Sequence, residues 1–162
     1  MPANIAALSA IIEREVATVT PFVEMLRAEQ AALMRGEHER VAEYAEPKAR
    51  YLIELTRLGG ERSRLLAAGG YSTDRAGMER CLRDHAAQTV TMGNTWRQLL
   101  TLTQAAHAAN TTNGMIISTR LQHTQRALNA IFSSARIPGA YGAYGADGNT
   151  VSLRTTQQLA VA

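Results

Sequence analysis

The sequence predicts an all-α protein: an elongated antiparallel helical bundle, made of a helical hairpin, a short helix and one long helix, with a flexible C-terminal tail. Three observations carry that reading. Aromatic residues are only 5% of the 162, with one tryptophan and two phenylalanines, while the apolar total of 46% is rich in alanine and leucine. This is helix-forming material with little β-branched or aromatic filling for a sandwich or barrel. Apolar residues recur at spacings of three and four over most of the chain, the signature of one buried helical face. Cys81 stands alone, which removes a disulfide framework and any cysteine-based zinc site.

The first helix is expected to start after Asn4, a side chain suited to capping free amides. Ile5, Leu8, Ile12, Val16, Val19, Val23, Leu26 and Leu33 form its stripe, with Glu13, Arg14, Glu24 and Arg27 opposite. Pro21 lies inside, where its ring removes a donor and crowds the carbonyl of Ala17, so a kink or break is expected there. Gly36 supplies the stop. The second segment runs through Val41, Tyr44, Lys48, Leu52, Leu55 and Leu58 to Gly69 and Gly70. Pro47 implies that the stretch from Glu37 to Glu46 is offset from the remainder. With a loop near Arg35 to Glu37, the two segments read as an antiparallel hairpin.

Ser72, Thr73 and Asp74 offer cap chemistry for a shorter helix through Met78, Cys81, Leu82 and His85. The longest pattern follows, from about Gln88 to Ser134: Met92, Trp96, Leu99, Thr103, Ala106, Asn110, Asn113, Ile117, Leu121, Thr124, Leu128 and Ile131. Unbroken, it would be about 70 Å long against about 45 Å for the first helix, so it should overhang its partners. Residues 1–135 are thus expected to form the bundle. Residues 136–162, where Pro, Gly, Ala, Tyr, Asp and Asn replace any helical period, are expected to form the flexible tail.

Charge narrows the functional classes. The net charge of +3 could suit nucleic acid, but Lys48 is the only lysine and the arginines are dispersed. No basic run interleaved with aromatics provides a strand-binding groove, so no nucleic-acid partner is expected. The amino terminus lacks a charged segment followed by an apolar core, and no apolar run approaches the roughly 20 residues of a membrane span. The chain reads as cytoplasmic.

Nothing in the sequence assembles a catalytic or cofactor site. His38, His85, His107 and His123 are scattered, with no inward Glu-x-x-His pairs for a bundle metal site. There is no glycine-rich loop after a strand and no nucleophile elbow. An enzyme, a metal and a cofactor are therefore not expected. His123-Thr124-Gln125-Arg126-Ala127 loosely resembles the His-x-x-Lys-Gly phosphoacceptor of histidine phosphotransfer bundles, with Arg126 and Ala127 in the basic and small positions. That leaves phosphotransfer through His123 as a rival, beside a self-associating structural coiled coil.

The stronger signal is apolar surface in excess. Ile116, Ile117, Leu121, Ala127, Leu128, Ile131 and Phe132 spread over about 160° of helix circumference at about 100° per residue. A helix packed on one side of a hairpin needs a stripe of only about 100°. The surplus suits an amphipathic helix of another protein, unless the short helix, the tail or a second copy in a homodimer covers it. Asn110 and Asn113 fall on the same seam before Gly114, which marks either a tolerated helical defect or a close-approach or bending point.

Three elements then resemble the C-terminal signature of FlgN-type flagellar export chaperones. They are Asn113-Gly114-Met115-Ile116-Ile117, Leu121-x-x-Thr124-Gln125-x-Ala127-Leu128 and Tyr144-Gly145-Ala146-Asp147-Gly148. Glu29-x-x-Ala32-Leu33-x-x-Gly36 and Lys48-x-x-x-Leu52 are similar to that family's helical hairpin. The resemblance covers roughly residues 5–150; Pro21, Pro47 and the tail beyond Gly148 depart from it. It implies a non-enzymatic cytoplasmic chaperone that binds the C-terminal segments of hook–filament junction proteins and delivers them to a membrane export gate component. Carried onto this chain, Asn113, Ile116, Ile117, Leu121, Leu128, Ile131 and Phe132 would contact the substrate protein. Tyr144 would contact the gate, with Tyr141 as its repeat.

Overall fold

The protein is described through a computed structural model, in which residues 4–134 are described. It is an all-α helical bundle, with no strand among the described residues. The helices are α1 (Ile5–Arg35), α2 (His38–Glu43), α3 (Ala45–Ala68), α4 (Arg75–Asp84) and α5 (Val90–Ser134), with a 3₁₀ turn at Ala86–Gln88. The chain divides into two units, Met1–Leu121 and Gln122–Ala162. The expected tail, 136–162, lies outside the described residues.

Local chemistry accounts for most helix ends. Asn4 Oδ1 accepts the Ala7 amide at 3.0 Å, and so caps α1 as its sequence position suggests. Gly36 closes α1 with φ at 74°, and the amides of Gly36 and Glu37 bond back to Leu33 and Ala32. That left-handed conformation is cheap only for glycine. Gly70, at φ 80°, repeats the device after α3, with Tyr71 bonding back to Leu66. Asp74 Oδ1 accepts the Gly77 amide at 2.9 Å and caps α4. Gly77 is held to glycine by space: a Cβ there would lie 1.8 Å from the Ser72 carbonyl oxygen.

The two prolines behave differently. Pro47 is the third residue of α3, in the first turn, where no intrahelical donor is lost. The offset expected before it is present as the separate α2, ended at Tyr44. Pro21 does not break α1, which is helical from Ile5 to Arg35. Val19, Phe22 and Val23, immediately around the proline, are all buried in the core. Their packing holds the segment helical where isolated propensity would end it.

The core lies in the first unit. Leu8, Ile12, Val19, Phe22, Val23 and Leu26 of α1 meet Leu66 of α3, Met78 and Cys81 of α4, and Met92, Trp96, Leu99 and Ala106 of α5. Cross-helix bonds fix the directions. Glu15 pairs with Arg62 and Glu29 with Lys48, so α1 and α3 run antiparallel. Asn113 bonds Leu26 and Arg120 bonds Met34, so α5 runs back alongside α1 in α1's own direction.

The helical seams agree with the sequence pattern at Leu8, Ile12, Val19, Val23, Leu26, Leu33, Met92, Trp96, Leu99 and Ala106, all buried. Two acidic residues that the stripe does not include, Glu15 and Glu29, are buried on it. Each has a cation brought to it by α3.

Candidate functional site

In the first unit, Met115, Ile117 and Leu121 of α5 are 65%, 45% and 58% exposed, and Ile116 is half-buried. In the second unit, Leu128, Ile131 and Phe132 are exposed at 46%, 60% and 71%. Large apolar side chains in water are common singly; each unit here exposes several on its own part of α5.

Asn113 occupies the interior instead. Its side chain is fully buried, and its Nδ2 donates to the Leu26 carbonyl at 2.9 Å and to Glu29 Oε2 at 2.7 Å. Glu29 also accepts from Lys48 Nζ, at 2.9 and 3.2 Å. A buried carboxylate is costly unless paired and hydrogen-bonded, and here it has a cation and an amide. The cluster therefore positions α5 against α1 and α3 just before the exposed row begins. Direct contact by Asn113 with another protein is incompatible with this arrangement. A Cβ added at Gly114 would meet nothing within 4 Å, and the residue has no left-handed φ, so it is not a close-approach site.

The α5 sequence carries a signal beyond its apolar pattern. Its 45 residues include Arg97, Arg120 and Arg126 and no aspartate or glutamate. The exposed apolar row thus sits on a helix whose only formal charges are positive. Arg120 is engaged with the Met34 carbonyl at 3.1 Å.

A groove in the first unit completes the geometry. About 410 Å³ in volume, it lies between α1, α3 and α5, with Phe22, Leu52, Leu55, Leu99, Leu100 and Ala106 among its walls. Its charges neutralise one another: Arg62 Nε donates to Glu15 Oε2 at 2.9 Å, and the guanidinium lies 5.1 Å from the Trp96 ring centroid. Burial holds the Glu15 carboxyl above the usual carboxylate range, with Arg62 opposing the shift. Trp96 Nε1 is buried without a hydrogen-bond partner among the described residues, as is Asn113 Oδ1. Sequence periodicity assigns Trp96, Leu99 and Ala106 to the core, which is correct. What periodicity does not register is the gap between helices into which those residues also face.

No group of three or more histidine, cysteine or acidic side chains able to hold a metal occurs among the described residues. His107 and His123 are both exposed. Cys81 is buried and its thiol is pushed up, first by burial and then by Asp84, which makes it a poor nucleophile. No helix among the described residues is long and apolar enough to cross a membrane. Tyr141 and Tyr144 lie outside the described residues.

A family model described as FlgN protein matches residues 1–151. Neither a curated protein nor a solved structure gives a significant match.

Proposed function

The chain belongs to the FlgN family of flagellar export chaperones, and from that membership we propose that it binds the C-terminal segments of hook–filament junction proteins in the cytoplasm. It keeps them from assembling early and hands them to a membrane export gate component. The observation that carries the substrate-binding part is exposed apolar surface on α5: Ile117 and Leu121, on one helical face, in the first unit, and Leu128, Ile131 and Phe132 in the second.

A segment that later packs into a filament has an apolar stripe that must be covered while it waits. A helical surface of aliphatic side chains covers it without chemistry. Release is also required, and this row favours it: aliphatic packing is shallow, and ordering a disordered segment lowers net affinity by about 2–5 kcal/mol. The positive-only charge of α5 supports a partner segment with acidic flanks. In this reading Ile116, Ile117, Leu121, Leu128, Ile131 and Phe132 touch the substrate protein, and Asn113 sets the position of the helix that carries them. Tyr144, or its repeat Tyr141, is the gate contact, and Tyr144→Ala is the variant that separates delivery from binding.

The direct test places a charge on the row. Leu121→Asp and Leu128→Asp should each weaken binding of a junction-protein C-terminal segment by about tenfold or more, since each full apolar burial is worth about 1.5–3 kcal/mol. Both residues are exposed, so far-ultraviolet circular dichroism should be unchanged. Unaltered affinity in both variants would remove the row from the account.

A further inference from the structure

We propose that the first half of α3, residues 45–58, is a strap that lifts away from α1 and α5, turning on Gly59 and Gly60 and held down near its far end by the ion pair of Lys48 with Glu29. The inference stands on the hairpin itself and does not depend on the binding reading above.

The pivot comes first. Gly59 and Gly60 lie in the interior of a 24-residue helix, where each glycine weakens helix formation about fivefold relative to alanine. Nothing in the packing requires them. Neither has a left-handed φ, and a Cβ at Gly60 would meet nothing within 4 Å. One at Gly59 would make only ordinary contacts, 3.7 Å from Glu15 Oε1 and 3.8 Å from Arg62 Nη2. Adjacent small residues of this kind are where helices bend sharply.

Anchoring differs on the two sides of that pivot. Beyond it, Leu66 is fully buried in the core, with Leu65 and Tyr71 packed against the same cluster. Before it, Leu58 is buried at the pivot itself, and none of residues 45–57 is buried. Leu52 and Ile53 are exposed at 49% and 70%. Tyr51 and Leu55 are half-buried, and the Tyr51 ring centroid lies 5.5 Å from that of Phe22. They do not close the space beneath them: the groove of about 410 Å³ separates Leu52 and Leu55 from Leu99 and Leu100. A segment with so few buried apolar contacts opens before the rest of a fold does. The short helix α2 has no buried residue either, so residues 37–44 can extend as the strap rises.

The latch sits where leverage is greatest. Lys48 is about 16 Å along the helix from Gly59 at about 1.5 Å per residue. A bend of about 20° would carry it about 6 Å, enough to break its bonds of 2.9 and 3.2 Å to Glu29. Glu29 keeps the Asn113 amide at 2.7 Å, so α1 and α5 stay joined while the strap is up. Lifting bares Tyr51, Leu55 and the face of Phe22 that Tyr51 covers, so the latch sets how much apolar surface the hairpin shows.

Amide hydrogen exchange of the full chain, followed residue by residue in dilute denaturant, tests this. An isolated helix of about 12–15 residues is marginal in water, so the amides of a lifted strap lose protection. Ile12→Val trims the core on the side of the Glu15–Arg62 pair away from the strap. It should speed exchange of residues 64–68 about fivefold and leave residues 49–57 unchanged. Gly60→Ala should slow residues 49–57 about fivefold. Acceleration of residues 49–57 by Ile12→Val would mean that they open only with the whole molecule. Rates in that segment unmoved by Gly60→Ala would take the pivot away from the glycines. Either result overturns the proposal.

Discussion

Lys48 donates to both oxygens of Glu29, and Asn113 donates to one of them, so one carboxylate links α3 and α5 to α1. The Glu29 side chain is 6% exposed and Lys48 is 22% exposed, far from the solvated pair of Arg50 and Glu46 at 71% and 76%. Removing the cation from the first pair strands a buried carboxylate, whereas removing it from the second frees a solvated one. Lys48→Ala should therefore lower unfolding free energy by about 3–5 kcal/mol. Arg50→Ala should cost less than about 1 kcal/mol. Urea denaturation at neutral pH measures both, and equal losses would deny the buried pair its role. Glu15 gives a second check. Burial raises its carboxyl above the ordinary value, so the folded state holds that proton more tightly than the unfolded chain does. Its contribution is then fully favourable below the ordinary carboxylate value and diminishes as pH rises through the raised one. Relative to Glu15→Gln, the native protein should lose stability as pH climbs through that window. A relative gain would mean that Arg62 outweighs desolvation.

At the scale of the element, the sequence told most where the signal is local. Asn4, Gly36, Pro47 and Asp74 each act within a turn of their own position, and each stands where capping chemistry places it. Of the kink or break expected at Pro21, the break is absent because the cost of the proline is local while the compensation is not: Val19, Phe22 and Val23 belong to the core shared with other helices. Lys48 lies on the inward stripe and Glu29 in the hairpin motif, but their pairing at 2.9 Å depends on the register of α1 against α3, which periodicity within either helix does not encode. The apolar row of α5 is visible in the sequence because it exceeds what one packed face needs. The groove is not, because it is set by the spacing of three helices rather than by any one of them. Gly114 remains as a weak point in an exposed stretch of α5, with open space around it. Gly114→Ala should raise stability by about 1 kcal/mol through helix propensity alone. A loss in the denaturation midpoint would instead show that α5 needs to bend there.

For the molecule as a whole, the distribution of burial is the functional statement. Among the described residues, every fully buried apolar side chain belongs to the unit Met1–Leu121, and from Leu121 to Ser133 all of α5 is exposed. In the function proposed above, that apolar surface is what the partner covers, which would account for the small core. The measurement that tests this most directly is a calorimetric titration of the full chain, at several temperatures, with C-terminal segments of hook–filament junction proteins. The account predicts saturable one-to-one binding with a negative heat-capacity change, the mark of apolar surface leaving water. A well-folded chain that binds none of these segments would contradict it.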